Sequence, residues 1–172
     1  LASLGRALGF GVTIVEEVQN EDEKASSTAI RQALRAGEPE AAAAILGGPW
    51  IADGPVLKGE QNGRKFGYPT ANTNLGELIH PKYGVYAVKV RIDRTGDWMP
   101  GVANFGRTPT TGLRDPLLEA HIFDFVGDIY GRWMEVQMLA YLRPELMFDS
   151  LDLMVVQMGK DVIEAKRRLK AS

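Results

Sequence analysis

The strongest constraint on the fold lies in residues 83–92, where Tyr86, Val88, Val90 and Ile92 alternate with Ala87, Lys89 and Arg91. A strict period of two sends successive side chains to opposite faces, so this segment reads as a strand with one buried side. The runs around it are short and bounded by Gly, Pro, Asn and Asp. Residues 97–105, 118–125 and 133–142 are further strands, the last two separated by Gly127, Asp128 and Gly131. From Trp50 onward the chain is therefore mainly β, in the manner of an antiparallel sheet or barrel.

Helical spacing brackets this region. Within residues 26–46, Ser26, Ser27 and Thr28 are cap residues, and Ile30, Ala33 and Leu34 have the helical repeat. Gly37 ends that helix, Pro39 stands near the start of a second over residues 40–46, and Gly47 and Gly48 end it. The two form a hairpin. Residues 149–169 return to a helical repeat, with Leu151, Val155, Met158, Val162, Ala165 and Leu169 on one face. Asp149 or Ser150 caps that helix, and it is expected to cover one face of the barrel.

Composition narrows the functional classes. The formal net charge of −2 provides no basic footprint for nucleic acid. The absence of cysteine excludes a disulfide framework, a thiolate metal site and a cysteine nucleophile. No apolar run approaches a membrane span, so no membrane partner is expected and a cytoplasmic location is the default. The chain starts without methionine or a signal-peptide layout and reads as a piece of a longer protein.

The chemistry-bearing stretch is residues 59–72, GEQNGRKFGYPTAN. Gly59, Gly63 and Gly67 let the backbone approach an anion, and Lys58, Arg64 and Lys65 can neutralise it. Pro69 favours extended chain at Tyr68, which rules against a Walker-type loop opening a helix. Thr70 and Asn72 lie two apart, so an extended backbone presents both oxygens on one side to a hard cation such as magnesium. A glycine-rich hairpin and a polar turn satisfying its own backbone are the plainer alternatives.

The order and spacing of several motifs resemble those of riboflavin kinases. They are GxxxGRxxGxPTAN, GVYAV at 84–88, GVANFGRTPT at 101–110, LEAHIFDF at 118–125 and YLRPExxFDSLDxL at 141–153. The likeness runs from about residue 47 to residue 170. It implies a six-stranded antiparallel, Greek-key-like barrel with a C-terminal helix, and transfer of the γ-phosphoryl group of ATP to the ribityl 5′-hydroxyl of riboflavin, giving FMN and ADP.

The same resemblance implies roles for individual residues. Thr70 and Asn72 meet the magnesium and the phosphates. Gly59, Gly63, Arg64 and Gly67 belong to the loop over the nucleotide. Ile122, Asp124 and Tyr130 line the adenosine site. Arg143 and Phe148 meet the flavin, although Arg143 could instead pair with Glu145 and Phe148 could be core. Glu119 is the catalytic base, a choice the resemblance makes and periodicity alone does not. His80 and His121 are read as surface or core residues, and Trp50, Trp98 and Trp133 as packing.

Residues 1–46 resemble the end of an FMN adenylyltransferase module, with Ser26-Ser27-Thr28-Ala29-Ile30-Arg31 as the matching motif and Ala29 where an arginine is frequent. Residues 47–172 are the kinase barrel. Adenylylation of FMN is expected only of a longer parent carrying the rest of that module. A non-catalytic flavin-binding barrel is the competing reading.

Overall fold

In the computed structural model, the chain is described over residues 2–13, 19–20, 23–24, 26–59, 63, 66–107 and 116–170. A short helix α1 (Ala2–Leu8) and a two-residue ladder, β1 (Gln19–Asn20) with β2 (Glu23–Lys24), come first. The hairpin follows as α2 (Ser27–Ala36) and α3 (Pro39–Leu46). Its punctuation is as expected. Ser26 is extended and accepts a hydrogen bond from the Ala29 amide at 3.1 Å, Gly37 and Gly47 close the helices in the left-handed region, and Pro39 opens α3.

Six strands make the body of the fold: β3 (Trp50–Pro55), β4 (Ala71–Asn74), β5 (Gly84–Ile92), β6 (Thr95–Gly106), β7 (Leu117–Ile122) and β8 (Trp133–Arg143). They form one antiparallel sheet in the order β3-β8-β5-β6-β7-β4. The sheet curls until its edges meet. A bridge between Leu57 and Asn72, with the Leu57 amide donating to the Asn72 carbonyl at 2.7 Å, nearly closes a barrel. Close approach of β3 and β4 is possible because Gly54 lies against Thr73, where a Cβ has no room.

Alternation then sorts the side chains. Tyr86, Val88 and Val90 point inward with Phe105, Leu118, Met134, Val136 and Met138. Each such fully buried side chain stabilises the fold by about 1.5–3 kcal/mol. Val85, Ala87, Val102 and Ala140 face outward and are covered by α4 (Leu151–Lys170) through Ala165, Val162 and Leu169. Ser150 Oγ accepts from the Leu153 amide at 3.3 Å and caps that helix.

Three expectations shift. The strand expected over 118–125 ends at Ile122: the Phe123 amide donates to the Pro100 carbonyl at 2.9 Å, and Asp124 turns at φ 56°. Phe123 keeps the outward side of the odd positions, whereas Phe125, past the turn, packs toward the inner cluster. Leu151, assigned to the buried stripe of the last helix, is exposed, so the covering face begins further along α4. Trp50 packs as expected, whereas Trp133 is partly exposed, donating from Nε1 to Asp53 at 3.1 Å.

Candidate active site

Strand β7 is a partition. Its even positions, Ala120 and Ile122, face the barrel interior, and its odd positions, Glu119 and His121, face outward. A cavity lies on each side. The inner one, about 600 Å³, is lined by Ala71, Ala120, Ile122, Ile129 and Tyr130, together with Phe125 and Asp128. The outer one, about 210 Å³, lies between the outer sheet face, α4 and the segment after β8. Its lining includes Tyr68, Asn104, Glu119, His121, Arg143, Glu145 and Phe148. Thr70 lines both cavities, at the point where the chain enters β4.

Strand register sets the outer site. Glu119 stands opposite Asn72 on one side and Asn104 on the other, and Val85 links Asn104 to Arg143. The row Asn72, Glu119, Asn104, Val85, Arg143 thus crosses five strands on one face. Asn104 Nδ2 donates to Glu145 Oε1 at 3.3 Å. Glu145 reaches that far because Gly106 leaves space: a Cβ there would collide with the carboxylate. Arg143 pairs not with Glu145 but with Asp161 of α4, through Nε and Nη2 at 2.8 and 2.6 Å. Phe148 is half-buried against the cavity rather than in the core.

The Tyr68–Asn72 segment is held from behind. His121 Nδ1 meets the Pro69 carbonyl at 2.9 Å, so that nitrogen carries the proton, and the Tyr68 ring lies edge-on to the imidazole. Asn72 is 8 % exposed, and its Oδ1 has no hydrogen-bond partner among the described residues. A buried amide oxygen left without a donor is costly, and a hard cation satisfies it. The described residues hold no group of three His, Cys, Asp or Glu side chains able to bind a metal. A cation here would take Asn72 Oδ1 and the hydroxyl of Thr70, two residues away, as neutral oxygen ligands. Thr73 Oγ1, also unpartnered among the described residues, packs against Gly54 on the opposite face.

The residues singled out from sequence are distributed as follows. Thr70, Glu119, Arg143 and Phe148 meet in the outer cavity, and Ile122 and Tyr130 in the inner one. Asp124 is exposed and absent from both linings. Gly59 packs against the Asn72 amide, where a Cβ would overlap Nδ2. Gly63 sits under Tyr68, its carbonyl accepting from the Tyr68 amide at 2.9 Å, and Gly67 turns at φ 81°. Arg64 lies outside the described residues. Sequence reasoning missed Asn104, Glu145, His121 and Asp161. Asp161 alone left a local signal, a charge set between Met158 and Val162 on the packed side of a helix.

The family model and the curated relatives agree on the domain. The family model described as flavokinase, riboflavin kinase, matches residues 46–169. A bifunctional riboflavin kinase/FMN adenylyltransferase of Haemophilus influenzae is 41 % identical over 169 residues, covering 96 % of this chain and 54 % of that protein. Its counterpart in Listeria monocytogenes is 40 % identical over 154 residues, covering 88 % of this chain and 48 % of that protein. The chain spans about half the length of the curated relatives it matches. A solved structure described as a macrolide-efflux protein from Streptococcus pneumoniae superposes with a TM-score of 0.78 at 37 % identity, over 95 % of this chain and 53 % of that one. The riboflavin kinase of Trypanosoma brucei shares the fold, with a TM-score of 0.53 at 23 % identity over 71 % of this chain and 80 % of that one.

Proposed function

The chain belongs to the riboflavin kinase family, and from that premise we propose that it transfers the γ-phosphoryl group of ATP to the ribityl 5′-hydroxyl of riboflavin. One observation carries the reading: two cavities of different character share a wall, and Thr70 lines both. The inner cavity, apolar at Ile122 and Tyr130, suits adenosine. The outer one, with Phe148 for stacking and polar groups around it, suits a flavin. Phosphoryl transfer between ligands in adjoining cavities needs a reacting centre at their junction.

Phosphoryl transfer depends mainly on positioning and charge neutralisation. Asn72 Oδ1 and Thr70 are the groups that would hold magnesium together with the ATP phosphates, and the ion supplies charge neutralisation on the transferred group. Glu119 accepts the proton of the 5′-hydroxyl as its oxygen bonds to the γ-phosphorus and the bond to the β,γ-bridging oxygen breaks, giving FMN and ADP. Asn72 and Asn104 stand opposite Glu119 on the two flanking strands. The glycine loop, with Gly59, Gly63, Arg64 and Gly67, covers the nucleotide. Asp124 keeps an adenosine role only if a bound nucleotide extends beyond the inner cavity.

Residues 47–172 are in this reading the kinase barrel, and residues 1–46 the end of an adenylyltransferase module whose activity belongs to the longer protein. The bifunctional relatives, which align with nearly the whole chain, support that division. The described helices include none long and apolar enough to cross a membrane, and a cytoplasmic site of action is proposed from the use of ATP.

Incubation with riboflavin and Mg·ATP, followed by separation of flavins, tests the proposal. Glu119→Gln is expected to retain riboflavin binding, read by flavin fluorescence, and to lose about 10²–10⁴ in kcat. Full activity in that variant removes Glu119 from the mechanism. Riboflavin binding without ATP consumption in the unaltered protein would favour a flavin-binding barrel instead.

A further inference from the structure

Arg143 does not enter the outer cavity as a free cation. Its Nε and Nη2 donate to Asp161 Oδ1 and Oδ2 at 2.8 and 2.6 Å, and its Nη1 donates to the Pro144 carbonyl at 2.8 Å. Asp161 is 7 % exposed, and Gln157 Nε2 donates to its Oδ1 at 2.9 Å. The fork that would grip a phosphate or carboxylate is therefore occupied. What remains for a ligand is the flat face of the guanidinium and its outer N–H groups, which suit a planar ring with carbonyl edges. Burying such a pair adds little net stability compared with apolar packing at the same place. The other charged side chains lining this cavity among the described residues are Glu119 and Glu145.

Substrate and product of the proposed reaction differ by a phosphate dianion. A bare guanidinium beside the flavin would favour the phosphorylated form, which has to leave. We propose that Asp161 is a specificity-determining residue: by binding and neutralising Arg143 it makes the outer cavity select an uncharged flavin alcohol over its phosphate ester. The inference rests on the kinase reading and adds a residue on α4 to the flavin site.

The test is a comparison of affinities for riboflavin and FMN, read from flavin fluorescence on the purified chain. Asp161→Asn keeps an acceptor oxygen for Arg143 but removes the compensating charge. Its affinity for FMN relative to riboflavin is expected to rise about three- to tenfold, and more at low salt. Arg143→Gln leaves Asp161 uncompensated and is expected to move the ratio the other way. The double variant Arg143→Gln/Asp161→Asn, neutral again, is expected to return to within about twofold of the unaltered ratio. An unchanged ratio in folded Asp161→Asn overturns the proposal. Should that variant fail to fold, Arg143→Gln decides alone, and a ratio that does not fall overturns it. Unaltered protein that phosphorylates riboflavin while the variants leave the ratio fixed breaks this inference and spares the kinase reading. Unaltered protein that neither binds nor phosphorylates riboflavin breaks both.

Discussion

Gly84 opens β5 at the centre of the sheet, and replacing it with alanine is expected to be the most damaging single methyl in the barrel. Its φ of 144° lies where side-chain-bearing residues are strained, which costs about 1–3 kcal/mol. The new Cβ would also meet the Arg143 carbonyl and, at 2.8 Å, Cε2 of the Tyr141 ring. The carbonyl belongs to β8, paired to β5 at Val85–Arg143, and cannot retreat without loosening that ladder, so overpacking adds about 1–3 kcal/mol. A combined loss of about 2–6 kcal/mol lowers Tm by about 4–24 °C for a chain of this size. Gly106→Ala is the control. The atoms in its way are the carboxylate of Glu145, the far end of an exposed and flexible side chain. Glu145 can swing aside for no more than the bond from Asn104, about 1 kcal/mol. Thermal and urea denaturation followed by circular dichroism measure both. A Gly84→Ala variant within about 1 kcal/mol of the parent, or one matched by Gly106→Ala, refutes the argument that backbone, and not side-chain, crowding sets the cost.

Features of this protein that depend on neighbours in sequence were legible in the sequence. The hairpin of α2 and α3 is written in Ser26, Gly37, Pro39 and Gly47, each acting within a few residues of itself. The strand at Gly84–Ile92 is written in its own alternation. The linear order of motifs identified Thr70, Glu119, Arg143 and Phe148, and these do gather in one cavity. What gathers them is register, which no single strand encodes. Asn104 meets Glu119 because β6 and β7 pair at that offset, and Arg143 meets Asp161 because α4 lies across the outer face. The alternative pairing of Arg143 with Glu145 fails for a reason of geometry. Positions two apart leave a strand on one side, but Pro144 follows β8, and Glu145 is drawn to Asn104 over the space at Gly106. Strand ends suffer likewise, since the turn after Ile122 is fixed by a bond to Pro100 on another strand.

Two further predictions concern how the parts are joined. Leu34, 1 % exposed, anchors the helical hairpin, and its carbonyl accepts from the Lys82 amide of the barrel at 2.9 Å. Leu34→Ala is expected to cost about 3–5 kcal/mol and to lower a single cooperative transition, whereas a separate early transition would mean that the hairpin folds apart from the barrel. Asp93 turns the β5–β6 hairpin at φ 53° and is held there by Arg132 Nε at 2.9 Å and the Trp133 amide at 3.0 Å. The Arg132 bond, then the Trp133 amide, hold its carboxyl below the ordinary value of about 4. A carboxylate depressed in the folded state stabilises it above the unfolded-state value and loses that contribution as pH falls through the folded one. Asp93→Asn is therefore expected to be the less stable protein at neutral pH and to lose less between about pH 5 and pH 2. Denaturation midpoints that run parallel over that interval would show that the turn is held by its backbone alone, with the Asp93 charge irrelevant.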